Sequence, residues 1–345
     1  MKTGRNLPDV LMELERQELE KKDYIVPAQM ISMQDDGQTL NMGKRTFSTT
    51  DLFHRQVASA LSIPAKYYDL MQVEKPALLA ENVNEWMSTR DQSYMVRSLS
   101  GVARALLSDR YRRIDNLQVA SAVLPLFAGR PDVEVMSCEV TDTRLYIKIV
   151  NHRLEMACVG DRVQAGVMFS NSEVGLGAVS VQPLIYTLAC TNGMVVNSLG
   201  ERKTHVGRAA KSFGEGFELL SDETMEAEDH AFMLKLRDIT KAAIEEVRFQ
   251  EIVSQLEESA GAKITGKVVD VIELTGREYG LNEMEQDGVL KYLIEGGDLS
   301  LYGLSNAVTR YSQDVDSYDR ATALEGMGWD IATMEPRRWR AINGV

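Results

Sequence analysis

A chain of 345 residues, 44% hydrophobic and 26% charged, holds enough apolar material for one large core or two smaller ones. Its three cysteines, Cys138, Cys158 and Cys190, are widely spaced with no CxxC pair, which argues against a disulfide framework or a cysteine zinc site and for a reducing compartment. The net charge of −13 lies wholly in residues 211–345, because residues 1–210 sum to zero. An acidic total disfavours nonspecific DNA binding, yet the neutral part leaves room for a basic groove.

The first residues, MKTGRNLPDVLMELERQELEKK, are charged from the start and do not read as a secretory signal. No run approaches the roughly 18 apolar residues of a membrane span. The expected location is the cytoplasm, of a cell or of an infected host cell.

In chain order, Leu11 to Lys21 reads as a short charged helix. Asp23 to Gln34 reads as a strand interrupted by Pro27, and Asp36–Gly37 as a tight turn into a strand at Thr39–Met42. Ser48 to Asp51 offer N-cap side chains before Phe53, Val57 and Leu61 at helical spacing. Pro64 opens a second helix, and Pro76 to Met87 is a third. "SYMVRSLSGVARALLSDRYRRID" reads as a hairpin with a Ser-Gly break, and "NLQVASAVLPLFAG" as a helix ending at Gly129. From Val133 the period becomes two. "VEVMSCEV", "RLYIKIVN", "LEMACVG" and "RVQAGVMFSN" form an antiparallel meander that continues through Val179, Val181 and a two-residue Asn192–Gly193 hairpin.

After Gly207 the chain turns helical and acidic. Phe232, Leu236, Ile239, Ala243 and Val247 share one face of a long helix, taken as Glu223–Glu258. "GAKITGKVVDVIEL" reads as a basic-to-apolar connector, part strand or helix. Asn282 and Glu285 form a capping box, "DLSLYGLSNAVTRYS" is a helix, and Ser317 caps a last short helix that stops at Gly326. The expected fold is α+β: N-terminal helices, a central antiparallel meander, and a helical portion. Residues 1–210 would be the core with the sheet. Residues 211–345 would be an acidic helical portion packing on it or extending from it.

The candidate chemistry is sparse. Gly175 and Gly177 lack the third glycine of a dinucleotide loop and the GK[ST] of a phosphate loop, so bends are expected. The cysteines sit in apolar runs, as inert packing thiols do. His54, His152, His205 and His230 show no ligand spacing, and only His205 lies in a basic segment. Asp314, Asp316 and Asp319 lack the glycine and closing glutamate of a calcium loop, so capping and solvation are the simpler reading. No catalytic residue, cofactor or metal is expected.

Two basic clusters stand out. One is Arg97, Arg104, Arg110, Arg112 and Arg113 around Tyr111; the other is Arg202, Lys203, Arg208 and Lys211. They bracket the predicted sheet, and arginine beside an aromatic suits single-stranded nucleic acid by phosphate contact and base stacking. Pairing with the acidic helices, or with Asp109 and Asp115, is the competing reading.

"VASALSIPAKYYDLM", "ALLSDRYRRIDNLQVASAVLPL", "GVMFSNSEVGLGAVSVQPLIYTLACTNGMVV" and "LYGLSNAVTRYSQDVDSYDRATALEGMGWDI" together resemble the phage/plasmid-like protein family known as domain of unknown function nine-three-two. The similarity runs in order from Phe53 to Ile331; the acidic run Ser221 to His230 departs from it. The resemblance implies a phage or plasmid setting. The order of meander then long helix is also similar to single-strand annealing proteins, which assemble as rings or filaments on single-stranded DNA. This implies a non-catalytic, homo-oligomeric protein that binds and anneals single-stranded DNA in recombination or replication. The alternative expectation is an interaction or counter-defence protein that engages a host protein through residues 211–345. A metal-dependent enzyme using Asp314, Asp316 and Asp319 ranks last. No membrane partner is expected.

Overall fold

The computed structural model describes every residue except 112, 178, 198–200, 204–221, 244–245 and 345. The Asn6 side chain caps the Asp9 amide and Pro8 sits in the first turn, so helix α1 (Leu7–Glu20) begins four residues before the expected start at Leu11. Val10 and Leu14 are the stripe it buries.

Six strands then build a first sheet: β1 (Lys21–Pro27), β2 (Ile31–Met33), β3 (Thr39–Met42), β4 (Arg45–Thr49), β5 (Ser93–Leu99) and β6 (Val102–Ser108). Their order among the described residues is β1-β5-β6-β4-β3-β2. This sheet is a correction to the expected single central meander. Its β1–β5 ladder joins Lys21–Pro27 to residues 93–99, and its β4–β6 pair is parallel. Local alternation does not encode such distant pairings. Pro27 ends β1, an edge strand, where a missing N–H is tolerated.

Helices α2 (Asp51–Leu61), α3 (Ala65–Glu74) and α4 (Pro76–Ser88) lie between β4 and β5 in the chain and cover this sheet. Thr50 caps the Phe53 amide, and Ser62 in the left-handed conformation ends α2. Phe53, Val57, Tyr68, Leu79 and Val83 pack on Val96, Ala103 and Leu106. Both sheet edges meet at a 3-10 turn, Ala28–Met30, and the sheet curls. Tyr24 on β1 stands 5.7 Å from Phe47 on β4, although β5 and β6 separate them in the ladder.

Helix α5 (Asn116–Val123) leads into an antiparallel meander: β7 (Val133–Val140), β8 (Leu145–Cys158), β9 (Asp161–Asn171), β10 (Val179–Thr187) and β11 (Gly193–Val195), with β12 (Glu201–Lys203) also paired to β10. The runs "RLYIKIVN" and "LEMACVG", expected as two strands, are the single strand β8, whose pairing with β9 shifts register between Asn151 and Glu155. Along β8 the faces alternate as the pleat requires. Leu145, Ile147 and Ile149 meet α1, α5 and Phe232, while Tyr146 and Val150 meet Met1 and Tyr318. The β10–β11 hairpin closes through Leu188–Asn192, not through a two-residue Asn-Gly turn. Gly193 makes room instead: a Cβ there would stand 3.1 Å from the Met1 side chain.

The remainder is helical: α6 (Asp222–Ala243), α7 (Glu246–Gly261), α8 (Val268–Tyr279), α9 (Glu283–Gly296), α10 (Leu301–Tyr311), α11 (Tyr318–Ala332) and α12 (Pro336–Asn343). The segment expected as one long helix is described as α6 and α7, which serve different cores. Phe232 and Leu236 join the α1/α5 side; Phe249, Ile252 and Leu256 join Val163, Ala165, Ile185 and Trp329. The expected connector contains α8. Helix α11 runs through Gly326 rather than ending there, because that glycine and Gly328 admit neighbours. Added Cβ atoms would lie 2.9 Å from Asn197 and 2.2 Å from Thr309. Helices α8 to α12 share a further core around Val289, Leu304 and Trp339. The whole is α+β. Among the described residues no helix is long and apolar enough to cross a membrane.

Candidate nucleic-acid interface

Arg97 lies on β5 and is 0% exposed. Its Nε meets Asp23 Oδ1 at 2.8 Å, one Nη meets Asp115 Oδ1 at 2.8 Å, and the other donates to the Glu173 carbonyl at 2.9 Å. Lys21 Nζ holds the second Asp115 oxygen at 2.5 Å. Arg104 on β6 reaches Glu173 Oε2 at 3.1 Å, and the Asn116 amide donates to Glu173 Oε1 at 2.6 Å. The Asn171 amide closes the group by donating to the Ile114 carbonyl and Asn116 Oδ1. Burial pushes the Asp115 carboxyl up, but Arg97 and Lys21 outweigh it and leave it below the usual range.

This network joins the two sheets. Strands β1, β5 and β6 supply the cations and Asp23; the loop after β9 supplies Glu173. Tyr111 belongs to the same junction. It packs with Met95, Ala105, Leu107 and Val174, and its hydroxyl donates to the Ser172 carbonyl at 3.2 Å. The sequence brought Arg97, Arg104 and Tyr111 forward as DNA contacts; the structure buries the two arginines against carboxylates and half-buries Tyr111 against a small core. Arg110 is exposed, and the Arg113 side chain is 57% exposed with its guanidinium 3.4 Å from Asp23. Arg112, Arg208 and Lys211 lie outside the described residues, as does His205. Arg202 and Lys203 are described as backbone of β12, paired to Ser180 and Val179.

The other candidates have local duties. Gly175 takes φ +80°, a bend, and the Arg144 guanidinium fills the space beside Gly177. Burial pushes the Cys138 and Cys158 thiols up to about 11. His54 is buried between Thr49 and Tyr68, and burial holds its pKa low. Asp314 accepts from the Tyr292 hydroxyl and Asp319 from Thr141 and Thr143, so these carboxylates have separate partners.

The exposed cationic feature lies elsewhere. Strand β4 pairs with β6 only at Ser48 and Thr49, so its first residues, Arg45 to Phe47, stay paired to β3 but splay away from β6. Across that splay lies β1. An open cleft of about 660 Å³ results, lined by Lys22, Asp23, Tyr24, Arg45, Thr46 and Phe47. Lys22 and Arg45 are exposed, and Tyr24 is half-buried. The Arg45 guanidinium stands 4.7 Å over the Tyr24 ring. Asp23 is neutralised beneath by Arg97, with Arg113 beside it. Phe47 is buried in the core, so the accessible wall ring is Tyr24, and cations at the rim beside that ring suit a ligand that is anionic and flat.

The sequence carries a local signal for this cleft outside the two basic clusters. "KKDY" and "KRTF", residues 21–24 and 44–47, share two basic residues, a spacer and an aromatic. Period-two alternation puts Lys22 with Tyr24, and Arg45 with Phe47, on one side of each strand. The two motifs face each other only because the sheet curls.

A family model described as a domain of unknown function (DUF932) matches residues 104–335, more than half of the chain. No curated protein and no solved structure matches it.

Proposed function

The chain belongs to the DUF932 family, and we propose that it binds single-stranded DNA without a catalytic step. In this reading it is a phage or plasmid protein of DNA metabolism that promotes strand annealing in the host cytoplasm. A homo-oligomer, ring or filament, would align successive clefts along a strand. The observation that carries the reading is the cleft between β1 and β4, where Lys22 and Arg45 flank the half-buried Tyr24 ring and Phe47 packs in the core beside it. Cations that track phosphates beside aromatic side chains that stack on bases are the common physics of single-strand binding. Arg110 and Arg113 extend the exposed positive charge after β6.

The test is equilibrium binding of a fluorescent single-stranded oligonucleotide across a salt series. Binding that weakens steeply with salt supports the reading, and no binding at low salt removes it. Mass in solution, with and without the oligonucleotide, tests the oligomer.

A further inference from the structure

We infer that the β1/β4 cleft recognises one unpaired nucleotide of a strand, laying its base on Tyr24 and its phosphate between Lys22 and Arg45, with Arg45 acting as a cover that the phosphate draws off the ring. This rests on reading the cleft as a single-strand site. Tyr24 packs toward Phe47, with ring planes at 59°, and toward the core beneath α2–α4. The ring is therefore fixed before any ligand arrives. Its accessible side carries the Arg45 guanidinium at 4.7 Å. A base reaches that side only by replacing the guanidinium.

The exchange is favourable for a nucleotide and for little else. A phosphate gives Arg45 a charge-assisted, bidentate partner in place of a solvent-exposed ring contact, and the base then covers the ring. A bare phosphate would bind Lys22 and Arg45 and leave the ring empty. A paired base in a duplex keeps its faces stacked and cannot lie on Tyr24. The cleft thus selects a flat base and an anion together, and so a single strand over duplex or polyphosphate.

The experiment compares four probes on the intact protein: a thymidine oligonucleotide, the same length with abasic sites, the corresponding duplex, and inorganic polyphosphate. The thymidine strand is expected to bind about tenfold tighter than the abasic strand, the low end of what stacking on an aromatic contributes. Tyr24→Leu should lower thymidine-strand affinity to the abasic level and leave abasic binding unchanged. Tyr24→Phe should keep the difference. Arg45→Ala should weaken both strands and polyphosphate. Equal affinity of the unmodified protein for abasic and thymidine strands overturns the inference while leaving single-strand binding standing. Duplex bound as tightly as the single strand also overturns it. Absence of binding to every probe overturns both this inference and the reading beneath it. The abasic comparison uses the unaltered chain, so an unstable Tyr24 variant does not blunt the test.

Discussion

Replacing Arg97 by methionine strikes the junction between the sheets at its centre. The guanidinium is 0% exposed and serves two carboxylates and one carbonyl. Removing one partner of a buried ionic group costs about 3–5 kcal/mol, because the remaining charges stay buried without compensation. Two features place Arg97→Met near the lower end. Asp115 keeps Lys21 at 2.5 Å, and Asp23 keeps Arg113 at 3.4 Å. We expect a loss of about 3 kcal/mol, read from urea unfolding followed by circular dichroism. Arg97→Lys should recover only part of it, since an ammonium cannot span three partners with a fixed fork. Asp115 adds a pH signature. Its folded pKa lies below the ordinary 3.8, so its stabilisation is full above that pH and vanishes as the pH falls through the lower folded value. The gap between wild type and Arg97→Met should therefore narrow on acidification through that range. Single-strand affinity of the folded variant should be unchanged. A variant as stable as wild type that has lost DNA affinity would refute the structural role given to Arg97.

Lys148 and Glu325 are both 0% exposed and 2.6 Å apart; Lys148→Met alone should cost about 3–5 kcal/mol, whereas adding Glu325→Leu should recover most of it, measured by urea unfolding. Gly328→Ala should lower the unfolding midpoint because its Cβ would meet Thr309 at 2.2 Å, while Gly296→Ala, with open space around it, should be neutral or raise it slightly. Cys138 and Cys158 are buried, with thiols pushed up to about 11, so a maleimide at neutral pH should label neither in the native protein and both in urea, as mass spectrometry would read. Label on native Cys138 would contradict the packing around β7.

What could be read from the sequence divides along physical lines. The second sheet was legible because its strands alternate locally and follow one another. The caps at Thr50, Asn282 and Ser317 were legible because a capping side chain and its amide are three residues apart. Of the first sheet, the strands near β1 and β3 and the β5–β6 hairpin were legible, but their assembly into one sheet was not, because the β1–β5 ladder and the parallel β4–β6 contact are long-range pairings. Gly326 looked like a helix stop because a glycine's missing side chain is equally useful as a space for Asn197. The arginine cluster was found but its surroundings were not. Nothing in Arg97 or Arg104 states that Glu173, some 70 residues away, will meet them both in the interior. The cleft had the opposite fault: each half carries a modest basic-aromatic pattern, and only the curl of the sheet brings the halves together.

The most direct test of the central claim is the salt dependence of single-strand binding by wild type and by the Lys22→Ala, Arg45→Ala double variant. Lys22 and Arg45 share one phosphate, and each lost phosphate contact on a single strand lowers the slope of log affinity against log salt by about 0.7, so the double variant should lose about 0.7 and bind weakly at low salt. An unchanged slope and affinity would place DNA binding elsewhere on the molecule and contradict the account.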